Sequence, residues 1–78
     1  MAHILICEDE PHIASGLKFN LELDGHQVDV VENGEDALSH IAATPDVFDA
    51  MILDVMLPGI DGFLVAQALR TKDWFHPI

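Results

Sequence analysis

Three short apolar runs alternate with stretches of helical periodicity, and that alternation restricts the possible folds more than any other feature of the chain. His3 to Cys7 reads as a strand buried on both faces, because its apolarity is continuous rather than alternating. Pro11 suits a first helical turn, after which Ile13, Leu17 and Leu21 recur at four-residue steps on one helix face until Asp24-Gly25 closes it. Gln27 to Val31 is a second strand, and Asp29 within it points to a peripheral place in the sheet. Asn33-Gly34 turns the chain and caps a short helix, and Thr44-Pro45-Asp46 breaks the chain again. A third strand follows from Phe48 to Leu53, then a loop with Pro58-Gly59 and Asp61-Gly62, then a third helix that is apolar nearly all round and expects cover on several sides. The spacing predicts strands over about 3–8, 26–31 and 48–53 and helices over about 11–23, 35–42 and 62–71. Strand–helix alternation of this kind gives an α/β fold with parallel strands and right-handed crossovers.

Both outer runs deliver acids where a functional site is expected. Glu8-Asp9-Glu10 ends the first run and Asp54 ends the third. In open parallel sheets, ligands sit beyond the carboxyl ends of the strands. Carboxylates converging there repel one another unless protons or a cation neutralise them.

Composition excludes several alternatives. The 78 residues suffice for one small domain, and half of them are apolar, which rules out a disordered acidic tail. Net charge is −11, with Lys18, Arg70 and Lys72 the only fixed cations, so binding of nucleic-acid phosphates through this segment is not expected. No apolar run approaches a membrane span and the first residues lack signal-peptide character, so a cytoplasmic location without membrane contact is expected. Cys7, the sole cysteine, reads as a small core residue. His3, His12, His26, His40 and His76 show no metal-ligand spacing and read as surface or structural residues.

The two acidic segments carry a resemblance. Ile4-Leu5-Ile6-Cys7-Glu8-Asp9-Glu10 and Asp54-Val55-Met56-Leu57-Pro58-Gly59-Ile60-Asp61-Gly62 resemble the first strand end and the phosphoacceptor loop of receiver domains of two-component response regulators. The 45-residue separation of Asp9 from Asp54 suits that match, as does Val31-Glu32-Asn33-Gly34-Glu35-Asp36-Ala37-Leu38 between them. The loop is most similar to receivers that carry a winged-helix DNA-binding output domain, so any role in transcription regulation belongs to a parent protein. The resemblance implies a flavodoxin-like, doubly wound parallel sheet whose encoded part has strand order 2-1-3. It implies residues 1–78 as a partial, truncated receiver domain, without the family's fourth and fifth strands and last two helices.

The resemblance also implies the chemistry of a signalling module rather than an ordinary enzyme. Asp54 would accept a phosphoryl group from a phosphohistidine on a sensor histidine kinase or phosphotransfer protein. Mg2+ would be held by Asp9, by Asp54, by the backbone carbonyl of Met56, and by Glu8 directly or through water, as suits a hard cation that keeps several waters. Self-phosphorylation and self-dephosphorylation are the most catalysis it would show. The family's Ser or Thr and its Lys, from later strands, are not in this sequence, and Lys18 and Lys72 read as too remote to replace them. Phosphorylation is therefore expected to be impaired.

Other residues have plainer expected roles. Glu10 suits a helix start, Asp61 suits capping of the third helix, and Trp74 and Phe75 suit packing or exposure at a truncated edge. A Pro-Ile at the tail reads as the opening of a fourth strand. With its outer neighbour missing, the third strand would be an edge, which predicts a homo-oligomer that covers it. Two rival functions remain open at this stage. One is an interaction fragment that binds a kinase or the parent regulator without phosphoryl chemistry. The other is a metal-dependent phosphatase, disfavoured because Met56 stands where such enzymes place a second aspartate.

Overall fold

A computed structural model describes residues 1–54, 57, 59–72, 74 and 76–78. The described elements run β1 (His3–Cys7), α1 (Pro11–Leu23), β2 (Gln27–Val31), α2 (Gly34–Ala43), β3 (Ala50–Leu53) and α3 (Gly62–Thr71). The three strands form one parallel sheet in the order β2-β1-β3. Ile6 lies opposite Val30 on one side and Ile52 on the other, and Cys7 opposite Val31 and Leu53. All three strands therefore end at the same edge.

Each helix begins where a side chain can replace the missing turn of backbone partners. Glu10 caps α1, its carboxylate accepting from the amides of His12 and Ile13, with Pro11 beginning the helix. Asn33 accepts from the Asp36 amide to start α2, and Asp61 from the Leu64 amide to start α3. The helix-start roles expected of Glu10 and Asp61 are thus borne out.

The sheet separates two apolar layers of unequal depth. Leu5, Cys7, Val31 and Met51 face α2 and α3, packing with Ala37, Ile41, Val65, Leu69, Phe48, Leu57 and Trp74. Ile4, Ile6 and Val28 face α1 and meet Leu17 and Leu21. Leu5 is fully buried, and burying such a side chain is worth about 1.5–3 kcal/mol, so Leu5→Ala removes that and leaves a cavity as well. The α2–α3 approach is close at Gly34, where a Cβ would stand 2.5 Å from Val65 Cγ2.

Three expectations need correction. β3 begins at Ala50 rather than Phe48, because Asp49 is drawn into a clasp on β1: its amide donates to the His3 carbonyl at 2.8 Å and its carboxylate accepts from the His3 amide at 2.8 Å. The helix α3 is not covered all round. Val65 and Leu69 are buried, but Phe63 is 73% and Leu64 49% exposed, since among the described elements it packs chiefly against α2. The outer edge of β3 is not wholly open either, for the Met51 amide donates to the Pro77 carbonyl at 2.9 Å. Arg70 holds that tail, donating to the carbonyls of Trp74 and His76 at 2.7 and 2.9 Å. The tail lies beside β3 without forming a strand among the described residues, and Trp74 is buried, its indole N–H donating to the Pro45 carbonyl at 3.2 Å. Phe75 lies outside the described residues. No helix among them is long and apolar enough to cross a membrane.

Candidate functional site

Backbone pairing carries two strands beyond their formal ends and so sets the site. The Glu8 amide donates to the Val31 carbonyl at 3.0 Å, and the Asp54 amide donates to the Cys7 carbonyl at 3.1 Å. Those bonds put Glu8 and Asp54 side by side at the carboxyl edge, with Asp9 next to them. One carboxylate oxygen from each of Glu8, Asp9 and Asp54 lies within 4.8 Å of the other two. Glu8 is buried, Asp54 half-buried and Asp9 exposed. Of the four predicted ligands, the structure brings these three together; Met56 lies outside the described residues.

The site holds its acids at an electrostatic cost. Burial, first of all, keeps the Glu8 carboxyl above the usual carboxylate range. A hydrogen bond to the Asp54 carboxylate and the charges of Asp54 and Asp9 push the same way, against a backbone hydrogen bond at Glu10. Two carboxyl groups can share a hydrogen bond only through a proton, and this favours the neutral form of Glu8. Beneath them the Cys7 thiol is pushed up to about 11, by burial first and then by the Asp54, Glu8, Asp36 and Glu35 carboxylates. Cys7 is consequently a neutral thiol that donates to the Asn33 carbonyl at 3.3 Å, a core residue as expected.

These donors suit a small, hard cation. At the ~2.1 Å bond length of Mg2+, oxygens of an octahedron stand about 3.0 Å apart when adjacent and about 4.2 Å apart when opposite. A spread of up to 4.8 Å comes within a small side-chain rotation of that range, or suits one carboxylate bound through water. All three donors are oxygens, the ligand type that hard cations take.

Two further residues bear on the surroundings of the site. Lys18 borders the same cavity of about 270 Å³ as Glu8, Asp9 and Glu32. Helical side chains lean toward the N-terminus, which for Lys18 is toward the acids. Glu35 reaches across from α2 to accept from the Ile60 amide at 3.2 Å, a contact between residues 25 apart that no local pattern announces. Elsewhere, His3 pairs with Asp29 at 3.0 Å and packs on Phe48, a structural role as expected for the histidines.

A parallel three-stranded sheet with clustered carboxylates beyond its carboxyl edge is the arrangement expected of the receiver class of α/β signalling modules. The chain belongs to that class: the model of the response regulator receiver domain family matches residues 4–78. The transcriptional regulatory protein TcrA of Mycobacterium tuberculosis is 44% identical over 75 residues, covering 96% of this chain and 29% of TcrA. The response regulator TrrA of Thermotoga maritima, solved in complex with Mg2+-BeF, superposes with a TM-score of 0.85 at 42% identity, over 92% of this chain and 61% of that one. The same regulator in complex with the histidine kinase ThkA gives a TM-score of 0.86 at 39% identity, over 97% and 64% of the two chains. The chain thus spans roughly a third of the length of the curated relatives it matches, from 27% to 34% among the most similar.

Proposed function

We propose that this chain is the phosphoacceptor part of a histidine-to-aspartate relay, with Asp54 the residue that takes the phosphoryl group. The observation that carries this reading is the convergence of Glu8, Asp9 and Asp54 within 4.8 Å at the carboxyl edge of the sheet. An Asp54 carboxylate oxygen attacks the phosphorus of a phosphohistidine on a kinase or phosphotransfer protein. The P–N bond breaks, the imidazole leaves and takes a proton, and an acyl phosphate remains on Asp54. Bound Mg2+ would supply neutralising charge to the phosphoryl oxygens. Asp9, Asp54 and Glu8 would hold it with the Met56 carbonyl, Glu8 directly or through water. For that, Glu8, whose carboxyl is held above the usual range, has to ionise.

Mg2+ binding to the three carboxylates falls near the millimolar range, or about −4 kcal/mol. Incubation with Mg2+ and a small acyl-phosphate donor, followed by intact-mass measurement, tests the reading. A gain of one phosphoryl mass that disappears in Asp54→Asn supports it. No Asp54-dependent gain after prolonged incubation leaves the interaction fragment as the better account.

Self-association belongs to the same proposal. Ile52 and Val30, neighbours of Ile6 on the α1 side of the sheet, are each 37% exposed. A second copy covering that face buries them, whereas strand addition along β3 must first displace Pro77 from Met51. A monomer by light scattering at high concentration contradicts this part alone.

A further inference from the structure

We propose that Glu35 is a positioning residue for the acidic site, fixing the bend at Gly59 and Ile60 and with it the loop that leaves Asp54. The inference rests on the reading of Glu8, Asp9 and Asp54 as a cation and phosphoryl site, and it adds a residue that touches none of them. Both oxygens of Glu35 lie against the bend. Oε1 accepts from the Ile60 amide at 3.2 Å, and a Cβ on Gly59 would stand 2.8 Å from Oε2 and 2.9 Å from Oε1. Gly59 has φ of 78°, so both the backbone conformation and the close approach require glycine.

The platform beneath Glu35 is itself tied down. Glu35 sits in the first turn of α2, where the helix dipole favours a carboxylate. The preceding Asn33 is joined to the end of β1 by the Cys7 thiol at 3.3 Å, and Gly34 is pressed close to Val65 of α3 and to the Ile60 carbonyl. Glu35 therefore acts from a point fixed to β1 and α3. The loop it grips is tethered at its start by the Asp54 amide on the Cys7 carbonyl and at its far end by the Ile60 amide on Glu35. Only a short run of residues lies between those two tethers, and Leu57 within it is buried in the core. Losing the bond at Ile60 leaves Asp54 anchored from the Cys7 side alone, and a preorganised donor becomes a less ordered one.

Charge and reach can be separated by substitution. Glu35→Gln removes the negative charge and keeps an oxygen of the same reach. Glu35→Asp keeps the charge and withdraws it by one methylene. Two measurements are made on the 78-residue chain: hydrogen exchange of the Ile60 amide and titration with Mg2+. The expected result is that Glu35→Asp and Glu35→Ala speed Ile60 exchange and weaken Mg2+ binding by about three- to tenfold, while Glu35→Gln stays within about twofold of wild type. If Glu35→Gln weakens Mg2+ as much as Glu35→Ala, the effect is remote charge and the proposal is overturned. Unchanged Ile60 exchange in Glu35→Asp overturns it as well. Asp54-dependent phosphoryl uptake is scored separately on wild type: its absence sinks the phosphoacceptor reading, whereas the exchange and Mg2+ results decide Glu35.

Discussion

The two ends of the sheet carry the same residue types and use them in opposite ways. Around His3, toward the amino end, two acids each have their own donor: Asp29 takes the His3 imidazole and Asp49 takes the His3 amide. At the carboxyl end Glu8, Asp9 and Asp54 bring carboxylate oxygens within 4.8 Å of one another, and Glu8 is buried. The first arrangement stabilises the fold, and the second holds like charges together at a cost. Acidic content therefore does not mark the site in this chain. What marks it is acids facing acids.

The largest test of that contrast is Asp54→Asn, which should abolish phosphoryl uptake and weaken Mg2+ by at least about tenfold, or 1.4 kcal/mol, by titration. Stability should then move in opposite directions at the two ends. His3→Ala removes the pair with Asp29 and the packing on Phe48, and should cost about 1–2 kcal/mol in urea unfolding. Glu8→Gln relieves buried repulsion, so the metal-free chain should gain up to about 1 kcal/mol. A loss on Glu8→Gln would mean that the carboxyl end is as well satisfied as the amino end, and the contrast would fail.

The pH dependence sharpens the same comparison. Glu8 has its folded pKa raised, so between the ordinary glutamate value and the raised one the native state holds more protons than the unfolded state. Stability of the metal-free chain consequently falls as pH rises through that window and does not recover above it. Saturating Mg2+, which binds the ionised site, should flatten the fall. Melting curves across mildly acidic to neutral pH, with and without Mg2+, check both signs. The smallest effect concerns Cys7: with its thiol pushed up to about 11 and fully buried, alkylation at pH 8 should be far slower than for an unfolded control.

Much of this was readable in the residues, for identifiable reasons. Continuous apolarity from Ile4 to Cys7 specified a central strand, and Glu10, Asn33 and Asp61 announced their helices because capping is local chemistry. The meeting of Asp9 with Asp54 followed from parallel strands that end together. Long-range side-chain reach was not legible. Glu35 looked like one more acid in a first turn, because its partner Ile60 lies 25 residues away. The sequence places Lys18 along α1 but does not show the cavity it shares with Glu8 and Asp9. The late start of β3 was hidden because Asp49 prefers a private clasp with His3 to a place in the ladder. The exposure of Phe63 depends on which elements surround α3, and amphipathic pattern alone does not supply that.

Gly34 has an evolutionary corollary. With Val65 Cγ2 standing 2.5 Å from where a methyl would sit, the two helices share room for one side chain, not two. Drift at either position is therefore coupled. A descendant that acquires alanine at 34 must trim residue 65 in the same lineage or separate its helices, so the pair should covary across divergent sequences even though neither residue touches the acids.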